Sequence, residues 1–105
     1  MVSLVPPATP PAVNQMHSWL VKLSDSTGMP VSGATMTVGG GMPQHGHGLP
    51  TKPRVTRETE SGTYVIEGMK FSMTGWWNIN LDIQSPAGHD KVTFNTVVAP
   101  VTASR

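Results

Sequence analysis

Two histidines one residue apart, His45 and His47, sit in the segment Met42-Pro-Gln-His-Gly-His-Gly-Leu-Pro50, the most chemically loaded stretch of the chain. In an extended segment this spacing puts both imidazoles on one side of the backbone, where two neutral nitrogens can converge on one ion. Met42 lies three residues before His45, and Met36, Met69 and Met73 fall in segments that can approach the loop in a folded sandwich. Thioether with imidazole is a soft to borderline donor set, which suits copper rather than magnesium or calcium. Glycines at 46 and 48 and prolines at 43 and 50 give the loop sharp turns and restrict its unfolded freedom, which favours a preset geometry. The alternative reading is that both histidines hydrogen-bond backbone groups and only hold the loop in shape. His17 and His89, near a strand start and in a turn, read as ordinary surface histidines.

Other chemistries find less support. The chain has no cysteine, which removes disulfides, thiolate metal sites and a cysteine nucleophile together. Seven methionines stand against that blank, as fillers of irregular core gaps or as soft ligands that replace thiols where thiols would be oxidised. No serine lies in a Gly-x-Ser-x-Gly elbow, and Gly39-Gly-Gly41 is not followed by the Lys-Ser/Thr of a phosphate loop. Asp25, Glu58, Glu60, Glu67, Asp82 and Asp90 mostly occupy strand-edge or turn positions, so no catalytic carboxylate pair emerges. The sequence therefore reads as a non-enzyme. Net charge is +1, and the seven Lys and Arg residues are scattered among acids, which argues against a nucleic-acid groove. No window approaches the roughly 18 consecutive apolar residues of a spanning helix. The first residues lack a signal peptide's basic start and unbroken apolar stretch, so an exported form would carry its signal or anchor outside these residues.

The elements that must position the loop are strands. Eleven glycines and ten prolines recur between short apolar runs, a poor background for helices. His17 to Leu23 alternates with Trp19, Val21 and Leu23 on one face, and Val31 to Val38 follows as a second strand. Gly39 to Pro53 then reads as one long loop. Arg54 to Thr59 and Thr63 to Glu67 form a hairpin about Glu60-Ser-Gly62. Trp77, Ile79, Leu81 and Ile83 alternate with Asn78, Asn80, Asp82 and Gln84, the clearest buried-face signal in the chain, and Trp76 and Trp77 must point to opposite faces. Lys91 to Ala99 is the last strand. About seven short strands without an amphipathic helix predict an all-β fold, an immunoglobulin-like antiparallel β-sandwich. Residues 1–14 read as a Pro-rich N-terminal extension, and 15–105 as a single domain.

Gly41-Met-Pro-Gln-His-Gly-His-Gly-Leu-Pro-Thr-Lys-Pro53, then Gly62-Thr-Tyr64 and Gly68-Met-Lys-Phe-Ser-Met-Thr-Gly-Trp76, resembles the YtkA-like domain, also seen in FixH-like proteins. The resemblance extends loosely from Val31 to Val98. It implies a bacterial extracytoplasmic domain of immunoglobulin-like fold, reached by a signal peptide or anchor, and an association with copper supply to haem-copper oxidases. Carried over residue by residue, the matching positions are Met42, His45, His47 and Met73.

The leading expectation is a periplasmic or extracellular metal-binding accessory protein that handles copper. His45 and His47 are its principal ligands, Met42 and Met73 its soft ones, and a copper-accepting protein or membrane complex is its partner. The rival expectation is a non-catalytic interaction or structural module with no metal, in which the loop is a rigid recognition surface.

Overall fold

Strand formation follows the apolar alternation. The computed structural model describes residues 1–100. Its strands are β1 (Val2–Val5), β2 (His17–Leu23), β3 (Thr35–Met42), β4 (His47–Gly48), β5 (Arg54–Glu60), β6 (Thr63–Met69), β7 (Gly75–Ser85) and β8 (Gly88–Val98). No helix occurs among the described residues, so none is long and apolar enough to cross a membrane. The strands form two four-stranded sheets, ordered β1-β2-β6-β5 and β4-β3-β7-β8. Every pairing is antiparallel. Lettered A, B, C, C′, D, E, F and G in chain order, the sheets read ABED and C′CFG. This is the immunoglobulin ABED and CFG order with one short strand added to the second sheet.

The residues that alternate at period two meet between the sheets. Trp19, Val21 and Leu23 of β2 and Tyr64 and Ile66 of β6 pack against Trp77, Ile79, Leu81 and Ile83 of β7, with Phe71, Met69 and Met42 at one end. Each such side chain fully withdrawn from water contributes about 1.5–3 kcal/mol. The Tyr64 hydroxyl donates to the Val31 carbonyl at 2.7 Å and accepts from the Ala34 amide at 3.1 Å. It thereby anchors the chain just before β3 to the opposite sheet. The preceding turn is held by Asp25, whose Oδ1 accepts from Thr27 Oγ1 at 2.6 Å, Thr27 N at 2.9 Å and Met29 N at 3.1 Å. Those bonds, the Thr27 hydroxyl first, hold the Asp25 carboxyl below its ordinary range.

Two boundaries differ from those read in the sequence. Val2–Val5, expected within a Pro-rich extension, is an edge strand paired with β2 from Val2↔Leu23 to Val5↔Leu20. Val2 and Leu4 pack against the core, and Pro6 and Pro7, lacking backbone N–H groups, end the strand. The second strand of the sequence reading also lies further along, at Thr35–Met42 instead of Val31–Val38. The Tyr64 anchor holds Val31 and Ala34 in the approach to it.

Ile66 is wholly buried, so Ile66→Ala should lower unfolding free energy by about 2–5 kcal/mol. Met29→Ala, at a residue 61% exposed, should change it by less than about 0.5 kcal/mol. Urea denaturation distinguishes the two, and equal effects would remove the assignment of the core. The Asp25 turn carries a pH dependence of known sign: a depressed carboxyl stabilises above its unfolded value, and that contribution is lost as pH falls through its lower folded value. The Thr27 amide should therefore titrate below the ordinary aspartate range in NMR, and a midpoint at or above that range would exclude these bonds.

Candidate functional site

The turn that carries the histidines is short. The Met42 carbonyl accepts from both His45 N and Gly46 N at 3.0 Å, closing a four-residue turn, Pro43 to Gly46. Pro43 supplies a fixed φ at the second turn position, and Gly46 takes a φ of 67° that an L side chain rarely adopts. The chain then pairs back, Met42↔His47 and Gly41↔Gly48, as β4. The long loop expected from Gly39 to Pro53 is therefore strand, turn and short strand before it becomes irregular.

The glycine run explains the difference. A Cβ at Gly40 would run into the Asn78 carbonyl and come within 3.2 Å of Ile79 Cα. One at Gly41 would run into the His47 carbonyl and come within 2.9 Å of Gly48 Cα. The missing side chains let β7 and β4 approach β3 closely, so glycine continues the strand here where the sequence pattern suggested a break. Asn78 Oδ1 accepts from Gly41 N at 3.0 Å and ties the base of the hairpin to β7.

Directly opposed residues of an antiparallel pair share a sheet face, so Met42 and His47 project to the same, inner side. Met42 is 1% exposed, and its methyl group lies 3.0 Å from where a Cβ on Gly75 would stand. His47 is exposed at the rim, and its ring meets Trp77 edge-on, 5.7 Å between centroids at 68°. His45 belongs to the turn, and its ring lies 6.0 Å from that of His47 at 26°. The two imidazoles are neighbours, as the spacing predicted, but through chain reversal and not through an extended segment. Met73, 38% exposed, precedes β7, and its carbonyl accepts from Trp77 Nε1 at 2.9 Å. Trp77 is thus next to His47 and to the Met73 backbone. Met69 is wholly buried in the core, and Met36 sits near the far end of β3.

The His47 ring is oriented. Its Nδ1 lies 3.3 Å from the Gly48 carbonyl, which can only accept, so in this contact Nδ1 donates and Nε2 is the nitrogen left without a bond to the chain. Metal-binding histidines are commonly fixed in this way, with the second nitrogen bonded to a carbonyl. Among the described residues no group of three or more His, Cys, Asp or Glu side chains is placed to hold a metal ion. A closed four-ligand zinc centre is thus not what this hairpin offers. Its donors are two imidazoles at the surface and the Met42 thioether on the inner side.

His17 is the residue whose setting sequence reasoning missed. Its half-buried ring lies 5.3 Å from Phe71 and 6.3 Å from Trp19, and Phe71 lies 5.1 Å from Trp77. His17 Nδ1 donates to the Gln15 carbonyl at 3.0 Å, while Nε2 is buried without a partner. A register shift in β2 between His17 and Trp19 sets this position, and no composition or spacing marks it. His89 is the surface residue expected, bonded to Asp82 on the outer face. Trp76 and Trp77 do point to opposite faces: Trp77 is buried, and Trp76 is 37% exposed with its Nε1 bonded to Asn95 Oδ1 at 2.8 Å.

Compared with protein families, residues 1–82 match the family described as YtkA-like. The matched span takes in β1 and the Pro-rich segment, so it starts earlier than the resemblance read from the motifs, and it ends within β7. Neither the curated proteins nor the solved structures give a match.

Gly41→Ala should force β4 away from β3 and remove the His47 ring from Trp77, at a cost of about 1–3 kcal/mol. Gly39→Ala, where a Cβ meets nothing within 4 Å, should leave both unchanged. The ring-current shift of the His47 imidazole protons in NMR reports the contact, and its persistence in Gly41→Ala would show that close approach does not hold the hairpin.

Proposed function

This chain belongs to the YtkA-like family, and from that premise we propose that it is an extracytoplasmic metal-binding accessory protein that handles copper through the Met/His hairpin. The observation that carries the reading is the pairing of the His45 and His47 rings at 6.0 Å on an exposed turn, with Met42 on the same sheet face as His47. Two imidazoles and a thioether form a small soft donor set, which Cu(I) accepts at low coordination number and which hard cations do not favour. The absence of cysteine fits an oxidising compartment, where thiolate ligands are liable to pair or oxidise. The likeness of the Met-Pro-x-His-Gly-His-Gly block to FixH-like proteins adds their association with copper supply to haem-copper oxidases.

Copper is cargo in this reading, and no turnover is involved. His45 and His47 hold the ion from the solvent side, with His47 Nε2 as the oriented donor. Met42 supplies its sulfur from beneath, and Met73, on the segment bonded to Trp77, is the second soft ligand. An ion held at the rim of a turn is open to a copper-accepting protein or membrane complex, and transfer proceeds by exchanging one imidazole at a time.

A second reading has an observation of its own. His47 edges Trp77 and lies against the Gly48 carbonyl, contacts that shape the turn without an ion. In that reading the hairpin is a recognition surface and the histidines are scaffold.

Titration of the metal-free protein with Cu(I) against a competing chelator separates the two. One-to-one binding should vanish in His45→Ala/His47→Ala with the far-UV circular dichroism unchanged. Met42→Leu, a volume-conserving exchange, should weaken Cu(I) and spare Cu(II). Tight binding retained in the double variant, or none in the native chain, would sink the copper assignment and leave the recognition surface.

A further inference from the structure

The outer face of the β4-β3-β7-β8 sheet carries side chains that the copper reading leaves unused. Trp76, Asn78 and Asn80 alternate with the buried row of β7 and so project outward, and the register sets Val97, Asn95 and Thr93 of β8 beside them. On the other flank β3 places Gly41 and Gly39 opposite Asn78 and Asn80, so no β3 side chain screens the two asparagines. Next to them lies a shallow depression of about 260 Å³, lined by Asn78 and Asn80 together with Gly40, Gly41 and His47.

All three asparagines of this patch are held by their oxygens. Asn78 Oδ1 accepts from Gly41 N at 3.0 Å, Asn95 Oδ1 from Trp76 Nε1 at 2.8 Å, and Asn80 Oδ1 from Thr93 Oγ1 at 2.9 Å. A peptide N–H and an indole N–H can only donate, so the amides of Asn78 and Asn95 have one permissible orientation. Among the described residues none of the three Nδ2 groups donates to the chain. Three NH₂ donors are therefore left unused, with their direction set in advance. Trp76 stands at the end of the patch, 37% exposed, and its Nε1 bond holds the indole beside Asn95.

What the patch lacks narrows its ligand as much as what it offers. No charged residue occurs from Trp76 to Asn80 or from Thr93 to Val97, and the next charges along the face, Asp82 and Lys91, lie 3.8 Å apart and offset one another. A phosphate or an acidic peptide finds no counter-charge here. β7 is paired on both sides, so its backbone has nothing to give an added strand. An exposed indole takes up an apolar C–H face, and fixed donors require acceptors. We propose that this face binds a neutral saccharide that carries acetamido groups, an oligomer of N-acetylhexosamine. The C–H face of one ring lies on Trp76, and acetamido carbonyls and hydroxyl oxygens accept from Nδ2 of Asn95, Asn78 and Asn80. A sugar without acetamido groups lacks the pure acceptors that these donors match. Same-face residues of a strand are about 6.6 Å apart, so Trp76 to Asn80 spans about 13 Å, the reach of a short oligomer and not of a single ring. The site goes beyond the copper reading and does not rest on it.

Titration of the metal-free full chain with tri-N-acetylchitotriose, followed by ¹H–¹⁵N NMR, tests it, and cellotriose is the comparison with hydroxyls in place of acetamido groups. The side-chain NH₂ signals of Asn78, Asn80 and Asn95 and the indole N–H of Trp76 should shift saturably with the acetylated trimer and less with cellotriose. Asn80→Asp/Asn95→Asp keeps both acceptor oxygens, and so the Thr93 and Trp76 bonds, but removes two NH₂ donors; it should raise the dissociation constant about tenfold. Trp76→Ala should abolish saturable binding. Circular dichroism and thermal midpoints show that each variant folds, as expected for outward-facing positions. No saturable shift at millimolar trimer, equal binding of cellotriose, or an affinity unchanged in either variant would each overturn the acetamido-sugar site. Because no copper is present, none of these outcomes bears on the copper assignment.

Discussion

The wholly buried indole of Trp77 is the constraint on which the hairpin end of this sandwich depends. Its Nε1 is bonded to the Met73 carbonyl, one edge of the ring meets His47, and Phe71 packs against it within the core. A buried indole must place its one donor, and placing it on Met73 sets the entry into β7. Because β7 is flanked by β3 and β8, the same side chain settles where the hairpin that continues β3 arrives.

Backbone proximity does the remaining positioning. Gly40 and Gly41 bring β3 against β7 and β4 at distances that any side chain would forbid, and Asn78 supplies the acceptor for the Gly41 amide. The Pro43 and Gly46 conformations then reverse the chain within four residues, with both turn bonds ending on one carbonyl, that of Met42. A thioether, two imidazoles and an indole are therefore brought to one end of the sandwich by close backbone approach.

The two edges of the second sheet differ. The β4 edge is short and carries His47, whereas the β8 edge is long and regular and has no charged residue after Lys91. Along β8 the core-facing row ends in residues that the sandwich covers only in part, a feature of the sheet's margin and not of the loop chemistry.

The alternation from Trp77 to Ile83 and from Trp19 to Leu23 was enough to establish strands, their buried faces and an all-β sandwich, because side-chain period is a local property of the chain. The proximity of His45 and His47 was also legible, since one intervening residue cannot carry them far apart. Tertiary structure decided what depends on a neighbouring strand. Whether Gly39-Gly-Gly41 breaks a strand or admits close packing turns on Asn78 and Gly48, which pair with Gly41 from the neighbouring strands. Whether Val2–Val5 is tail or sheet turns on the free edge of β2, and the setting of His17 turns on a register shift opposite β6. Met42, read as part of the loop, is the buried end of β3, because its partner in the pairing is His47 and the face they share is the one that closes over Trp77. Register between strands is a sum over long-range contacts, and no local pattern of residues contains it.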